Sequence, residues 1–141
     1  HTPVQLMKLL VQKNQKIRLV QLSSLAALFP HPYLAAYSAS KAAVCNLTQW
    51  LATYLADVGI RVNAIAPGFF ATKINRRLLF NEDGSYTERS KKIISGTPMD
   101  RFGEPKELVG AMLYLCDHTA SGFVTGVILP VDGGFSAYCG V

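Results

Sequence analysis

Charge is scarce in this sequence. Of its 141 residues only 16% are Asp, Glu, Lys or Arg, while 50% are hydrophobic, a balance that excludes a disordered chain. The charge that exists leans basic, 14 residues against 9 for a net +5. Those basic residues are scattered or fall in one loop region, without the aromatic interleaving of single-strand binders, so no nucleic-acid partner is expected. No apolar run approaches ~18 residues, so no membrane partner is expected either. Cysteine is sparse and unpatterned: Cys45, Cys116 and Cys139 are odd in number and show no CxxC spacing. That leaves no basis for a disulfide framework or a zinc site and fits a reducing, cytoplasmic compartment. His31 and His118 lie in loop or helix-end contexts without metal-ligand spacing.

What is present is ordered by period. The chain has one domain's worth of residues and no internal repeats. Val4 to Val11 has helical apolar spacing, and Ile17 to Leu22 is a short β-type run stopped by Ser23-Ser24. Pro30 and Pro32 mark a loop. A long Ala- and Leu-rich helix is expected from Tyr37 to about Asp57, ended by Gly59, and a second strand over Ile60 to Ala66, stopped by Pro67-Gly68. Residues 69–103 read as irregular or loosely helical, with a turn at Asp83-Gly84. Pro105 opens another helix to about Asp117, and Val127 to Val131 is a third strand before Asp132-Gly133-Gly134. Helices alternating with near-continuous apolar strands specify the α/β class: a parallel sheet covered by helices on both faces.

In such sheets ligands gather beyond the carboxyl ends of the strands. Ser23-Ser24, Pro67-Gly68 and Asp132-Gly133-Gly134 all follow strands, and Tyr37 opens the helix after the first. Tyr37 and Lys41 are four residues apart, one above the other on a helix face. An ammonium so placed favours the phenolate, which suits the tyrosine to exchange a proton with a substrate oxygen. The spacing alone is weak, and Ser24 by itself reads as a turn residue. Trp50 and Tyr54, at helical spacing, read as packing or oligomer-interface residues.

Leu22-Ser23-Ser24, Tyr37-Ser38-Ala39-Ser40-Lys41-Ala42-Ala43, Arg61-Val62-Asn63-Ala64-Ile65-Ala66-Pro67-Gly68 and the ending Gly126 to Gly134 occur in order along the chain. On these motifs the chain resembles the short-chain dehydrogenase/reductase family, essentially from end to end. The resemblance implies an oxidoreductase that interconverts a secondary alcohol and a ketone with NAD or NADP. By the same resemblance Ser24, thirteen residues before Tyr37, bonds the substrate oxygen. Tyr37 is the acid/base, and Lys41 binds the nicotinamide ribose. Cofactor contacts are implied at Tyr37, Lys41, Pro67, Gly68, Phe70 and Thr72. The family also implies a homo-oligomer, paired through the long helix.

More narrowly, Ala66 to Phe70, Asn75-Arg76-Arg77-Leu78-Leu79, Asn81 to Ser85 and Thr97 to Gly103 resemble the family's D-mannonate oxidoreductase (fructuronate reductase) branch. That implies a sugar-acid substrate, whose carboxylate Arg76 and Arg77 are suited to pair with. The sequence departs from the family in one respect: it contains no Gly-x-x-x-Gly-x-Gly turn. The family's further catalytic asparagine would fall just before His1. Residues 1–141 are therefore expected to be the catalytic, C-terminal half of a Rossmann-like doubly wound sheet, with the N-terminal cofactor-binding half absent from this chain. The alternative is a catalytically silent fragment that acts as a structural or association module.

Overall fold

The computed structural model describes residues 5, 9, 12, 17–29 and 33–140. Three parallel strands form its sheet: β1 (Arg18–Leu22), β2 (Arg61–Pro67) and β3 (Ile128–Val131), in the order β1-β2-β3. Between β1 and β2 lies α1 (Ala35–Tyr54); between β2 and β3 lie α2 (Arg76–Leu79), α3 (Glu88–Ser95), α4 (Leu108–Cys116) and α5 (His118–Ser121). The α/β class expected from the strand and helix periods is the one observed. Of the first expected helix, over residues 4–11, only Gln5 and Leu9 are among the described residues, and both are helical. The Pro30–Pro32 loop lies outside them. No helix among the described residues is long and apolar enough to cross a membrane.

Strand β2 is the middle of the sheet, and its first six residues are buried. Ala64 pairs with Gln21 on one side and Ile128 on the other. Alternate side chains of a strand leave opposite faces, and β2 uses both. Val62 joins Leu51 and Ala52 of α1, Leu55 at its C-cap and Ile60 in the main apolar cluster. Gln21 of β1 reaches the same helix, its Nε2 donating to Thr48 Oγ1 at 3.1 Å.

Arg61 and Asn63 leave the other face. The Arg61 guanidinium donates to the carbonyls of Val124 at 2.9 Å, Leu115 at 2.9 Å and Asp117 at 3.3 Å. The Asn63 amide donates to the Val124 carbonyl at 3.0 Å and accepts from Val127 N–H at 3.1 Å. These bonds tie the α4–β3 connection to the centre of the sheet. They also explain how two polar side chains can be buried in an otherwise apolar strand.

Helix α1 starts two residues before Tyr37 and ends before Asp57. Gly59, at φ +74, closes its C-terminal turn and returns the chain towards β2. Pro105–Glu107 is a single 3-10 turn rather than the first turn of an α-helix. The Glu107 carboxylate folds back onto the Glu104 N–H at 2.8 Å and takes Arg101 in a two-pronged pair at 2.6 and 2.8 Å. The segment expected to be irregular or loosely helical contains the short helices α2 and α3, held by a second apolar cluster of Leu79, Ile93 and Phe102. Thr87 caps α3 by accepting from Ser90 N–H.

Candidate active site

The end of β1 is bound to α1 twice. Ser23 is buried; its N–H donates to the Ile65 carbonyl at 2.8 Å and its hydroxyl to the Lys41 carbonyl at 3.1 Å. Lys41 answers from the helix, its Nζ donating to the Leu22 carbonyl at 3.0 Å. That ammonium lies 5.7 Å from the centre of the Tyr37 ring. The four-residue spacing thus sets lysine and tyrosine on one helix face, with the lysine also touching the strand end.

Ser24 follows in an extended conformation. Its Oγ accepts from the Ala26 N–H at 3.2 Å, which leaves the hydroxyl hydrogen for an incoming oxygen. Tyr37 is 44% exposed, so its ring is reachable from solvent. Both residues line one cavity of about 650 Å³, whose lining also includes Glu88, Arg89, Lys92 and Ile93 of α3. That volume is within the range of small-molecule sites.

The end of β2 supplies the floor. Gly68 N–H donates to the Val131 carbonyl at 3.0 Å, and a Cβ at Gly68 would lie 2.6 Å from Asp132 Cβ and 2.8 Å from its Cα. Only glycine lets the two strand ends approach so closely. Asp132 in turn accepts from Gly134 N–H at 3.0 Å and Ser136 N–H at 2.9 Å. The turn so fixed carries Phe135 to the cavity wall, edge-on to Phe69 with ring centres 5.1 Å apart. A Gly68→Ala variant is expected to lose about 1–3 kcal/mol of stability, the usual cost of overpacking a closed contact. Urea unfolding measures it, and an unchanged midpoint would contradict the contact.

The remaining expected positions are placed apart from this cavity. The Phe70 ring lies over Gly103, where a Cβ would be 2.5 Å from it. The Thr72 N–H donates to Asn75 Oδ1 at 2.8 Å, and the Asn75 amide donates to the Phe70 carbonyl at 2.8 Å, which pins the loop after Gly68. Thr72 lines a smaller hollow with Lys73 and Arg76. Arg76 and Arg77 line another with Phe80, Asn81 and Glu82, and the Arg76 guanidinium sits 5.2 Å above the Phe80 ring. Ser24, Tyr37 and Gly68 are therefore brought together, with Lys41 directly behind Tyr37, and Arg76 and Arg77 are not.

The cationic residues that do line the cavity are Arg89 and Lys92 of α3. Sequence reasoning did not single them out. Their run, Glu88-Arg89-Ser90-Lys91-Lys92, has the composition of a solvated helix face. The one available signal was Ile93 beyond it, which fixes an inward side for the helix.

A family model described as enoyl-(acyl carrier protein) reductase matches residues 3–136. An uncharacterised oxidoreductase of Bacillus subtilis (strain 168), UxuB, is 57% identical over 123 residues, covering 87% of this chain and 44% of its own. A solved structure from Haemophilus influenza, named as a candidate D-mannonate oxidoreductase and holding NAD, superposes with a TM-score of 0.85 at 54% identity. The match covers 90% of this chain and 45% of that one. A candidate 2-deoxy-D-gluconate 3-dehydrogenase from Agrobacterium tumefaciens, holding NADP, gives 0.82 at 35% identity, over 93% of this chain and 51% of that one. The chain thus spans about half the length of the proteins it matches.

Proposed function

The chain belongs to the short-chain dehydrogenase/reductase family, and from that premise we propose that it carries the catalytic centre of an NAD(P)-dependent oxidoreductase acting on a sugar acid of the mannonate/fructuronate type. One observation carries this reading: Ser24 and Tyr37 open onto one cavity while Lys41, bonded to the Leu22 carbonyl, stands behind the tyrosine. The Haemophilus and Agrobacterium structures, through the names they carry and the cofactors they hold, support the substrate class and the choice of NAD or NADP.

In this mechanism the nicotinamide cofactor, when bound, supplies or takes up the hydride. The chain's own residues handle the oxygen and the proton. The Ser24 hydroxyl donates to the substrate oxygen and fixes its direction. Tyr37 gives its proton to that oxygen in reduction and takes it back in oxidation. Lys41 keeps two N–H donors after its bond to Leu22, and these fit the hydroxyls of a nicotinamide ribose. Backbone groups from Pro67 to Thr72, including Phe70, would hold the carboxamide end. The protein is read as cytoplasmic and homo-oligomeric. The pairing face would be α1, where Trp50 and Tyr54 stack 4.7 Å apart, 52% and 45% exposed.

Residues 1–141 are read as the catalytic half of one Rossmann-like domain. The lack of a glycine-rich phosphate turn in them also favours a second reading, that they keep the motifs without holding cofactor and act in association alone. Titration with NADH and NADPH, followed by fluorescence and by turnover of D-fructuronate, separates the two. Saturable binding with turnover establishes the enzyme. No binding at millimolar cofactor establishes the silent module.

A further inference from the structure

The side chains of α3 sort by direction. Ser90 is fully buried, its hydroxyl donating to the Leu79 carbonyl at 2.6 Å, and Ile93 packs with Leu79 and Phe102. Lys91 turns outward and is taken by Glu88 at 2.7 Å. Arg89 and Lys92 remain. Three residues apart, they share one flank of the helix, and both line the cavity that holds Ser24 and Tyr37.

Among the described residues, neither the Arg89 guanidinium nor the Lys92 ammonium has a hydrogen-bonded or ion-paired partner. Glu88 is the third charged group on that wall. Its carboxyl is held below the usual range, chiefly by the hydrogen bond from Lys91 and to a smaller degree by Lys92. Its negative charge is thus met chiefly by Lys91, which does not line the cavity. The rest of the lining is mostly apolar, with Leu25, Phe69 and Phe135 in it. Arg89 and Lys92 are both exposed, so an anion in this hollow can reach them directly. Two like charges three apart on a helix also repel until an anion lies between them. An arginine can grip a carboxylate with two parallel N–H bonds, and a lysine adds a third donor from the side.

We infer that Arg89 and Lys92 bind the carboxylate of the substrate, in the cavity that Ser24 and Tyr37 also line, and so select acids over neutral sugars. The assignment rests on the sugar-acid reading above and deepens it. It moves the carboxylate contact from Arg76 and Arg77, which line a different hollow, to the helix that shares a cavity with the acid/base.

The test uses the 141-residue chain, with and without the oxidised cofactor NAD+, and two six-carbon probes. D-Mannonate carries the carboxylate; D-mannitol has the same skeleton with an alcohol in its place. Calorimetric titration is expected to show at least tenfold preference for mannonate. That preference disappears in Arg89→Gln/Lys92→Gln, survives in Arg76→Gln/Arg77→Gln, and is partly kept in Arg89→Lys. Mannitol affinity and the thermal melt stay the same throughout. Equal affinity for the two probes in the wild type, or a preference that survives the Arg89/Lys92 change, overturns the inference. Turnover is scored separately. A chain that shows the lost preference but oxidises neither probe keeps the inference and rejects the redox reading. One that oxidises mannonate with KM unmoved in the double variant does the reverse.

Discussion

Tyr37→Phe is expected to lower turnover by about 10²–10⁴-fold, the contribution of a positioned general acid/base, while leaving the fold unchanged. The ring stays in place, and only the phenolic oxygen goes. That oxygen belongs to a residue 44% exposed at a cavity mouth, so no buried partner is orphaned by its loss. Steady-state NADH oxidation with fructuronate measures the effect. The contrast with Lys41→Met makes the result specific. Loss of that ammonium also releases the Leu22 carbonyl, so the second variant should weaken cofactor binding and lower the melting temperature together. Undiminished turnover in Tyr37→Phe would mean that another group moves the proton.

The largest loss of stability is expected at Arg61. Arg61→Met keeps the length of the side chain and removes its donors, leaving the Leu115 carbonyl without this donor, the Asp117 carbonyl to Ser121 alone and the Val124 carbonyl to Asn63 alone. Loss of these bonds should cost about 2–3 kcal/mol, or on the order of 10 °C in melting temperature for a domain of this size. Among the described residues no carboxylate pairs with this guanidinium; backbone oxygens alone receive it. Burial, and then the neighbouring Arg18, hold its pKa below the ordinary value. Thermal denaturation followed by circular dichroism reads the change. Arg61→Lys, which restores one donor group, should recover part of it. A loss equal to that of an exposed arginine would refute the clamp.

The strands were legible because their ends are marked chemically. Ser23 and Pro67-Gly68 stop two apolar runs, and the observed bounds fall within a residue of the expected ones. The long helix was legible by its period, but its end was not: it stops at Tyr54, and Gly59 closes the turn that follows. Within residues 69–103 the loosely helical character was legible but the helix bounds were not, because α2 has four residues and α3 eight, too few turns for a period to show. The cavity wall was hidden by a subtler effect. On α3 the residue that faces inward is a serine, polar in the sequence but satisfied by the Leu79 carbonyl. With Ser90 counted as outward, the run 88–92 has no buried side, and nothing tells which of its cations turn to the cavity. A buried hydrogen bond at Ser90 and the apolar contact of Ile93 together orient that helix.

The apolar interior is divided, and the division sets how such a protein can change. Tyr37 rides on a helix anchored by Leu51, Leu55 and Val62, whereas Arg89 and Lys92 ride on one anchored by Leu79, Ile93 and Phe102. Replacement of residues 76–97 as a block leaves the first anchorage untouched. On the roles proposed above, the helix carrying Arg89 and Lys92 can therefore diverge while the one carrying Tyr37 stays fixed, so that a new specificity could be grafted without disturbing the acid/base.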